Sequence, residues 1–463
     1  MSAPRAADPV PPGAREPNPD PAVAAEITLG PVEAPEIDPL AVAAPEIGPE
    51  SAPPEAAVAP QSPDGRAEPI DLSFGPRHPA IQGVLRLRLT LDGETVTGCE
   101  PLIGFGHRGL EKLFESYSLR DGVALTDRLD FVAAAAANLA YAGTVERLLG
   151  LAVPARARFL RVTVAELSRV ASHLLWLSTH AEEGGTEELC GICLRHRERI
   201  LDLLEELCGA RLTLRCAIPG GLPRDATGSW VERCAVLAAA LPAWIDGYEE
   251  RLTEDRAWKK RTVGLGVLSP ETALEYGVSG PILRASGVDW DLRKALPYDA
   301  YAELEFEVPV RRNGDAYDRY LVRVAEMRQS ARLIGQTLAR LPTGPVLPAG
   351  IDPGGSRPAA SPVPEVEPAG PRAEAYFSVE GPRGEIGFYI ALAGNCTAGG
   401  ADAVGRGCGR VLLPEEASPW RCRARTPSLR HLQVLPEIAA GHRVSDLVML
   451  LGSLDLALGE VDR

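Results

Sequence analysis

A single change of hydrophobic period constrains this chain more than any other feature. VLRLRLTLDG at 84–93 alternates apolar and polar residues up to an Asp-Gly turn, and ETVTGCEPLIG follows, the pattern of a small antiparallel strand region over 71–109. From Leu110 the period lengthens to that of a helix. Leu160, Val164, Leu167, Leu174 and Leu177 fall near one face of a segment that begins after Pro154, and Ile200, Leu203, Leu204 and Leu207 continue the pattern before Gly209. Further helices are expected at 231–254 and 313–341, the second placing Asp315 and Asp318 early and Arg332 and Arg340 late, the order a helix dipole favours. A bundle of long helices over 110–344 should form the main core.

The flanking segments read differently. Residues 1–70 hold 17 prolines, many alanines and a near repeat in APEIDP and APEIGP; they have too few large apolar side chains to offset their ordering entropy and are expected to form a disordered acidic tail. That tail carries −9 of the formal charge of −15, so the body from 71 to 463 is only mildly acidic. Segments 345–373 and 394–419 are rich in Pro and Gly and read as loops. Between them EAYFSVEGPRGEIGFYIAL reads as a hairpin with Gly-containing turns, and the C-terminal segment 420–463 should hold a last apolar helix at about 444–452.

Composition excludes several classes of function. With no Lys/Arg run and no basic excess, the chain lacks the electrostatic footprint of a nucleic-acid binder. No stretch reaches the roughly 18 apolar residues of a membrane span; the longest candidate, Phe131 to Val145, is Ala-rich and reads as a buried helix, so any membrane role is peripheral. The N-terminus has no basic segment leading into an apolar one, and the chain is expected to stay in the cytosol with its nine cysteines mostly reduced. Cys190-Gly-Ile-Cys193 places two thiols within reach of one ion, but no second close pair completes a four-ligand site; a structural role is the alternative. SGPILRASG at 279–287 lacks the strand-to-helix context of a phosphate-cradling loop, so the chain is not expected to hold a nucleotide.

Longer blocks carry a family resemblance. FGPRHPAIQGVLRLRL (74–89), GFGHRGLEKLFE (104–115), DRLDF (127–131), LTEDRAWKKRTVGLGV (252–267), YGVSGPILRASGVDWDLRKALPYDAY (276–301), NGDAYDRYLVRVAEMRQS (313–330) and GSLDLALGEVDR (452–463) occur in that order. Together they resemble the 49-kilodalton, or D-type, subunit family of respiratory complex I, distantly related to nickel-iron hydrogenase large subunits. The fold this implies is α+β and hydrogenase large-subunit-like, with a small N-terminal antiparallel β region and a central long-helix bundle. A hydrogenase holds its metals on two CxxC pairs, one early and one near the C-terminus. Neither DRLDF nor LDLALGEVDR contains a cysteine, so a hydrogenase metal site is rejected.

The resemblance also implies partners and a site. It implies a peripheral component on the cytoplasmic side of a bacterial inner membrane, packed on the terminal iron-sulfur subunit, the C-type subunit and membrane-arm subunits. Quinone binds between this chain and the cluster-bearing partner, while iron-sulfur clusters and FMN reside in partners and this chain binds no cofactor alone. Full reduction of a quinone takes two electrons and two protons, so a hydrogen-bond or proton donor is needed at a carbonyl oxygen. The family supplies a His in HPxxHG and a Tyr ending DRLDY. Here Gln82 and Phe131 stand at those positions, Glu183 matches the acid that pairs with the His, and Thr213 in GARLT replaces a His beside the cluster. An amide donates a hydrogen bond but not readily a proton, and Phe does neither. Arg108 and Arg128 match cluster-proximal arginines, with pairing to acids such as Glu111 or Asp130 as the structural alternative. His78 matches the first His of the motif and serves either the redox site or a structural hydrogen bond, and His107 only closes a turn in the simplest reading. The substitutions leave two further readings open, a structural or assembly paralogue with an inert site, and a component of a ferredoxin-linked complex.

Overall fold

The computed structural model describes residues 70–74, 78, 81–349, 371–393 and 418–463. The expected tail ends where this description begins, and most of 345–373 and 394–419 also lies outside it. Strands β1 (Ile70–Phe74), β2 (Ile81–Gln82), β3 (Leu85–Asp92) and β4 (Thr95–Leu102) open the fold. Helices α1 (Leu110–Phe114), α2 (Val123–Thr126), α3 (Ala134–Leu149), α4 (Ala155–Glu183), α5 (Glu187–Cys208), α6 (Gly228–Leu252), α7 (Arg256–Thr262), α8 (Pro270–Glu275), α9 (Gly280–Ala285), α10 (Leu292–Ala295) and α11 (Ala316–Ala339) follow. The C-terminal part runs β5 (Pro371–Glu380), β6 (Glu385–Ala393), β7 (Arg421–Arg425), α12 (Pro427–Gln433), α13 (Leu435–Ala439), α14 (Leu447–Leu454), β8 (Leu456–Ala457) and α15 (Leu458–Asp462). The chain is α+β, with antiparallel sheets at both ends of a helical middle.

Local chemistry explains the long elements. In β3 the residues Leu85, Leu87 and Leu89 are buried and the arginines between them exposed, the two-residue period of a half-buried strand. The α11 helix starts at Asp315, whose carboxylate accepts from the Asp318 N–H at 2.8 Å, and α5 stops at Gly209, whose φ of 83° only glycine adopts freely. Helices α4, α5, α6 and α11 bury leucines such as Leu167, Leu203, Leu241 and Leu338 in one core with Trp230 and Trp258. A second core packs α3 against the β5–β6–β7 sheet, where Phe114, Tyr141 and Phe388 meet with ring centroids 5.3–5.6 Å apart. Among the described residues no helix is long and apolar enough to cross a membrane.

Two expectations need correction. Pro371 already belongs to β5, so the loop assigned to 345–373 ends earlier. The hairpin is also three-stranded, because β7 pairs antiparallel with β6 from Arg421 opposite Ala391 to Arg425 opposite Gly387. RCRAR offers only Cys422 and Ala424 to the core, too short an alternation to read as a strand.

Behind the β5–β6 turn lies a buried ion network. Arg293 bonds Asp291 and Glu166, Arg284 bonds Glu326 and Glu380, and Arg169 bonds Glu166 and the carbonyls of Glu380 and Gly381. His173 Nε2 lies 3.0 Å from Glu326. Three guanidiniums face four acids, and burial together with Asp291 pushes the Glu380 carboxyl up. The network fixes the end of β5 and hence the turn that follows.

Candidate functional site around Arg383

The turn joining β5 to β6 is Gly381-Pro382-Arg383-Gly384, and it is pressed into the molecule. A Cβ on Gly280, where φ is 70°, would lie 2.5 Å from the Arg383 carbonyl and from Gly384 Cα. The Ser279 Oγ accepts the Glu385 N–H at 3.0 Å. The first glycine of SGPILRASG therefore serves a close approach to this hairpin.

Arg383 is 1% exposed and joins segments that are remote in sequence. Its guanidinium bonds the Asp130 carboxylate, Asp455 Oδ1 at 3.0 Å and Gln82 Oε1 at 3.2 Å, and its Nε donates to the Asp455 carbonyl at 2.8 Å. Asp455 has φ 53°, a left-handed conformation that costs a non-glycine residue energy; both bonds from Arg383 hold it there. Asp130 Oδ1 in turn accepts from the Val132 and Ala133 amides at 3.0 and 3.3 Å. Gln82 is fixed on its other side by backbone pairing, since β2 runs parallel to β8 with Gln82 opposite Ala457.

The C-terminus completes the site. Asp462 accepts from the Gly104 and Gly106 amides at 2.7 and 2.6 Å, and the His107 Nδ1 donates to the Asp462 carbonyl at 2.6 Å. Arg463 reaches Glu111 and the Ala424 carbonyl. Glu460 is 2% exposed, with Oε2 accepting the Ser428 N–H at 3.1 Å. Burial, then the charge of Asp130, pushes the Glu460 carboxyl up to about 8. Asp130, Arg383 and Glu460 line a crevice with Ala133, Pro382 and Pro427.

The expected site residues divide into two groups. Gln82, Phe131, Arg108 and Arg128 gather around this centre. Phe131 follows Asp130 and is 48% exposed, so its ring faces outward. Arg108 is exposed and donates to the Arg128 carbonyl at 2.6 Å, while Arg128 pairs with Asp127 at 3.2 Å. The two acids expected as alternative partners are engaged elsewhere, Glu111 by Arg423 and Arg463 and Asp130 by Arg383. His78 is half-buried, and its carbonyl accepts the Ile81 N–H. His107 does more than close a turn, because it grips the C-terminal segment.

The other candidates lie on other elements. Glu183 ends α4, with its carbonyl held by Arg261, and Thr213 is exposed in the segment after α5. Cys190 and Cys193 lie on α5, where Cys193 is a core residue whose thiol burial pushes up to about 12 and the Cys190 Sγ lies 3.7 Å from Glu182. Among the described residues no group of three or more His, Cys, Asp or Glu side chains is placed to hold a metal. Sequence reading passed over Arg383, Asp455 and Glu460 as individuals, although GPRGE and GSLDLALGEVDR both stood out as blocks.

Comparison with known proteins bears on this arrangement. The family described as respiratory-chain NADH dehydrogenase, 49 Kd subunit, matches residues 185–399 and 403–463. The chain belongs to that family. It is 40% identical over 407 residues to a D-type subunit of the NADH-quinone oxidoreductase of Thermodesulfovibrio yellowstonii, covering 85% of this chain and 96% of that protein. It is 41% identical over 410 residues to the D-type subunit of the NADH-quinone oxidoreductase of the Wolbachia of Culex pipiens, covering 85% and 98%. The chain is thus similar to nearly the whole length of these proteins, and Arg383, Asp455, Glu460 and Asp462 fall within the stretches that the family matches.

Proposed function

We propose that this chain is a peripheral-arm subunit of a proton-translocating NADH:quinone oxidoreductase and forms one wall of its quinone cavity against the terminal iron-sulfur subunit. The observation that carries this reading is the convergence of GFGHRG, DRLDF, the residue Gln82, the GPRGE turn and the C-terminal GEVDR on Arg383 and Asp462. Electrons would pass from NADH through FMN and iron-sulfur centres of partner subunits to a quinone such as ubiquinone. The exposed guanidiniums of Arg108 and Arg128 would lie toward the partner's cluster, where fixed positive charge stabilises the reduced state. Attachment to the cytoplasmic face of the inner membrane would come from the C-type subunit and the membrane arm. The fold would be that of the nickel-iron hydrogenase large subunits with the metal site lost.

One observation favours a second reading, an assembly subunit with an inert site. Gln82 and Phe131 lack the protic groups that the resemblance places there. Measuring inhibitor-sensitive NADH:quinone activity of the purified complex separates the two. The quinone reading expects activity that falls on deletion of the chain and on Gln82→Ala or Arg383→Met, which remove hydrogen-bonding groups from the site. Activity lost on deletion but indifferent to those substitutions supports the inert reading.

A further inference from the structure

The crevice beside Arg383 contains more acid than its cations neutralise. Asp130, Asp455 and Glu460 all act on the Arg383 guanidinium, and Asp455 lies also in the field of Arg323. Two cations therefore face three carboxyl groups in a buried setting where an unpaired negative charge is strongly disfavoured. One bound proton balances the set.

Packing identifies its holder. Asp130 and Asp455 take hydrogen bonds from the Arg383 fork, whereas the Glu460 carboxyl meets the neutral Ser428 amide at 3.1 Å. The charged groups acting on Glu460 are Asp130 and Arg383, and the elements packed against α15 carry uncharged Gln82 on β2 and, on α12, His431, which burial holds neutral by pushing it to about 3. On its own segment Asp455 is bound by Arg383 and Asp462 by two backbone amides. Helix α15 is pressed against the DRLDF segment, since a Cβ on Gly459 would lie 2.6 Å from the Leu129 carbonyl. Glu460 thus stands across the crevice from Asp130, the residue immediately before Phe131.

We propose that Glu460 is the proton reservoir for quinone reduction in this chain, delivering its proton through the Asp130 carboxylate to the quinone held beside Phe131. This rests on the quinone-cavity reading above and accounts for how a site with Gln82 and Phe131 in place of protic side chains can still work. As two electrons arrive from the partner's iron-sulfur cluster, the Glu460 O–H bond breaks, Asp130 takes that proton and releases it to one quinone oxygen. Solvent supplies the second proton to the other oxygen and a further proton to restore Glu460, so quinone, two electrons and two protons give the quinol.

The test uses the assembled complex and a short-chain quinone, with NADH:ferricyanide reduction to normalise for intact enzyme. Wild-type quinone turnover should fall as pH rises through about 8, because the acid form of Glu460 is the donor. Glu460→Gln should lower turnover at least about tenfold and abolish that alkaline limb, and Glu460→Asp should restore the limb. Loss of a protonated-carboxyl infrared band in Glu460→Gln would assign the proton directly. Wild-type turnover and an unchanged profile in Glu460→Gln overturn the donor assignment alone. A complex without inhibitor-sensitive quinone reduction overturns the quinone reading and the assignment with it. If Glu460→Gln fails to assemble, the wild-type profile decides: a fall near pH 8 supports the donor, and a flat profile from about pH 6 to about pH 10 refutes it.

Discussion

Replacing Arg383 with Met should be the most damaging single change in the C-terminal half. The side chain is 1% exposed and makes contacts to the Asp130 carboxylate, the Asp455 carboxylate and carbonyl, and Gln82 Oε1. Met fills much of the same volume, so little of the loss is a cavity. What remains is two buried carboxylates without their counter-ion, an Asp455 backbone at φ 53° without its anchor, and a Gln82 amide short of a donor. Breaking one side of a buried ion pair costs about 3–5 kcal/mol, and releasing the strained backbone returns about 1 kcal/mol. The expected net loss at neutral pH is therefore about 2–4 kcal/mol. Urea denaturation of the purified chain, followed by tryptophan fluorescence, measures it. Arg383→Lys, which keeps charge but not the planar fork, should fall between wild type and Arg383→Met. A loss below about 1 kcal/mol would refute the reasoning that Arg383 is an electrostatic keystone.

Further changes probe other parts of the account. Gln82→His with Phe131→Tyr should raise quinone turnover in the assembled complex, since both restore protic groups at the site; unchanged turnover with assembly intact removes the proposed cause. His180, packed between Trp176 and Trp258, is pushed down to about 3 by burial and by Arg323, Arg261 and Arg319. The unfolded chain binds that proton below about pH 6.5 and the folded chain does not, so this group's stabilisation is full above that value and lost as pH falls. His180→Phe should consequently be more stable relative to wild type at about pH 5 than at about pH 8, by a few kcal/mol in chemical denaturation. Gly280→Ala should destabilise by about 2 kcal/mol or more, because its Cβ would collide with the Arg383 turn and its φ is 70°.

Much of the scaffold was legible because its signals are local. Leu160 to Leu177 predict α4, Ile200 to Leu207 predict α5, and the glycines of EGPRGE place the β5–β6 turn. The site was legible only as a set of blocks. Gln82 pairs with Ala457 across almost the whole chain, and no local pattern specifies a two-residue parallel contact. An arginine in a Gly-Pro turn reads as solvated until tertiary packing buries it, and an acid three residues from a chain end reads as frayed until Ser428 and Asp130 enclose it. Arg383 and Glu460 owe their chemistry to burial, which depends on neighbours that sequence spacing does not reveal.

The central claim is that a quinone headgroup sits against the surface formed by Gln82, Phe131 and the C-terminal segment. Photolabelling the assembled complex with an azido-quinone, with and without a competing quinone-site inhibitor, tests it most directly. The account predicts inhibitor-sensitive label on the peptides carrying Phe131 or residues 455–463; label confined to other subunits, or on this chain only near Cys190 and Cys193, would contradict it.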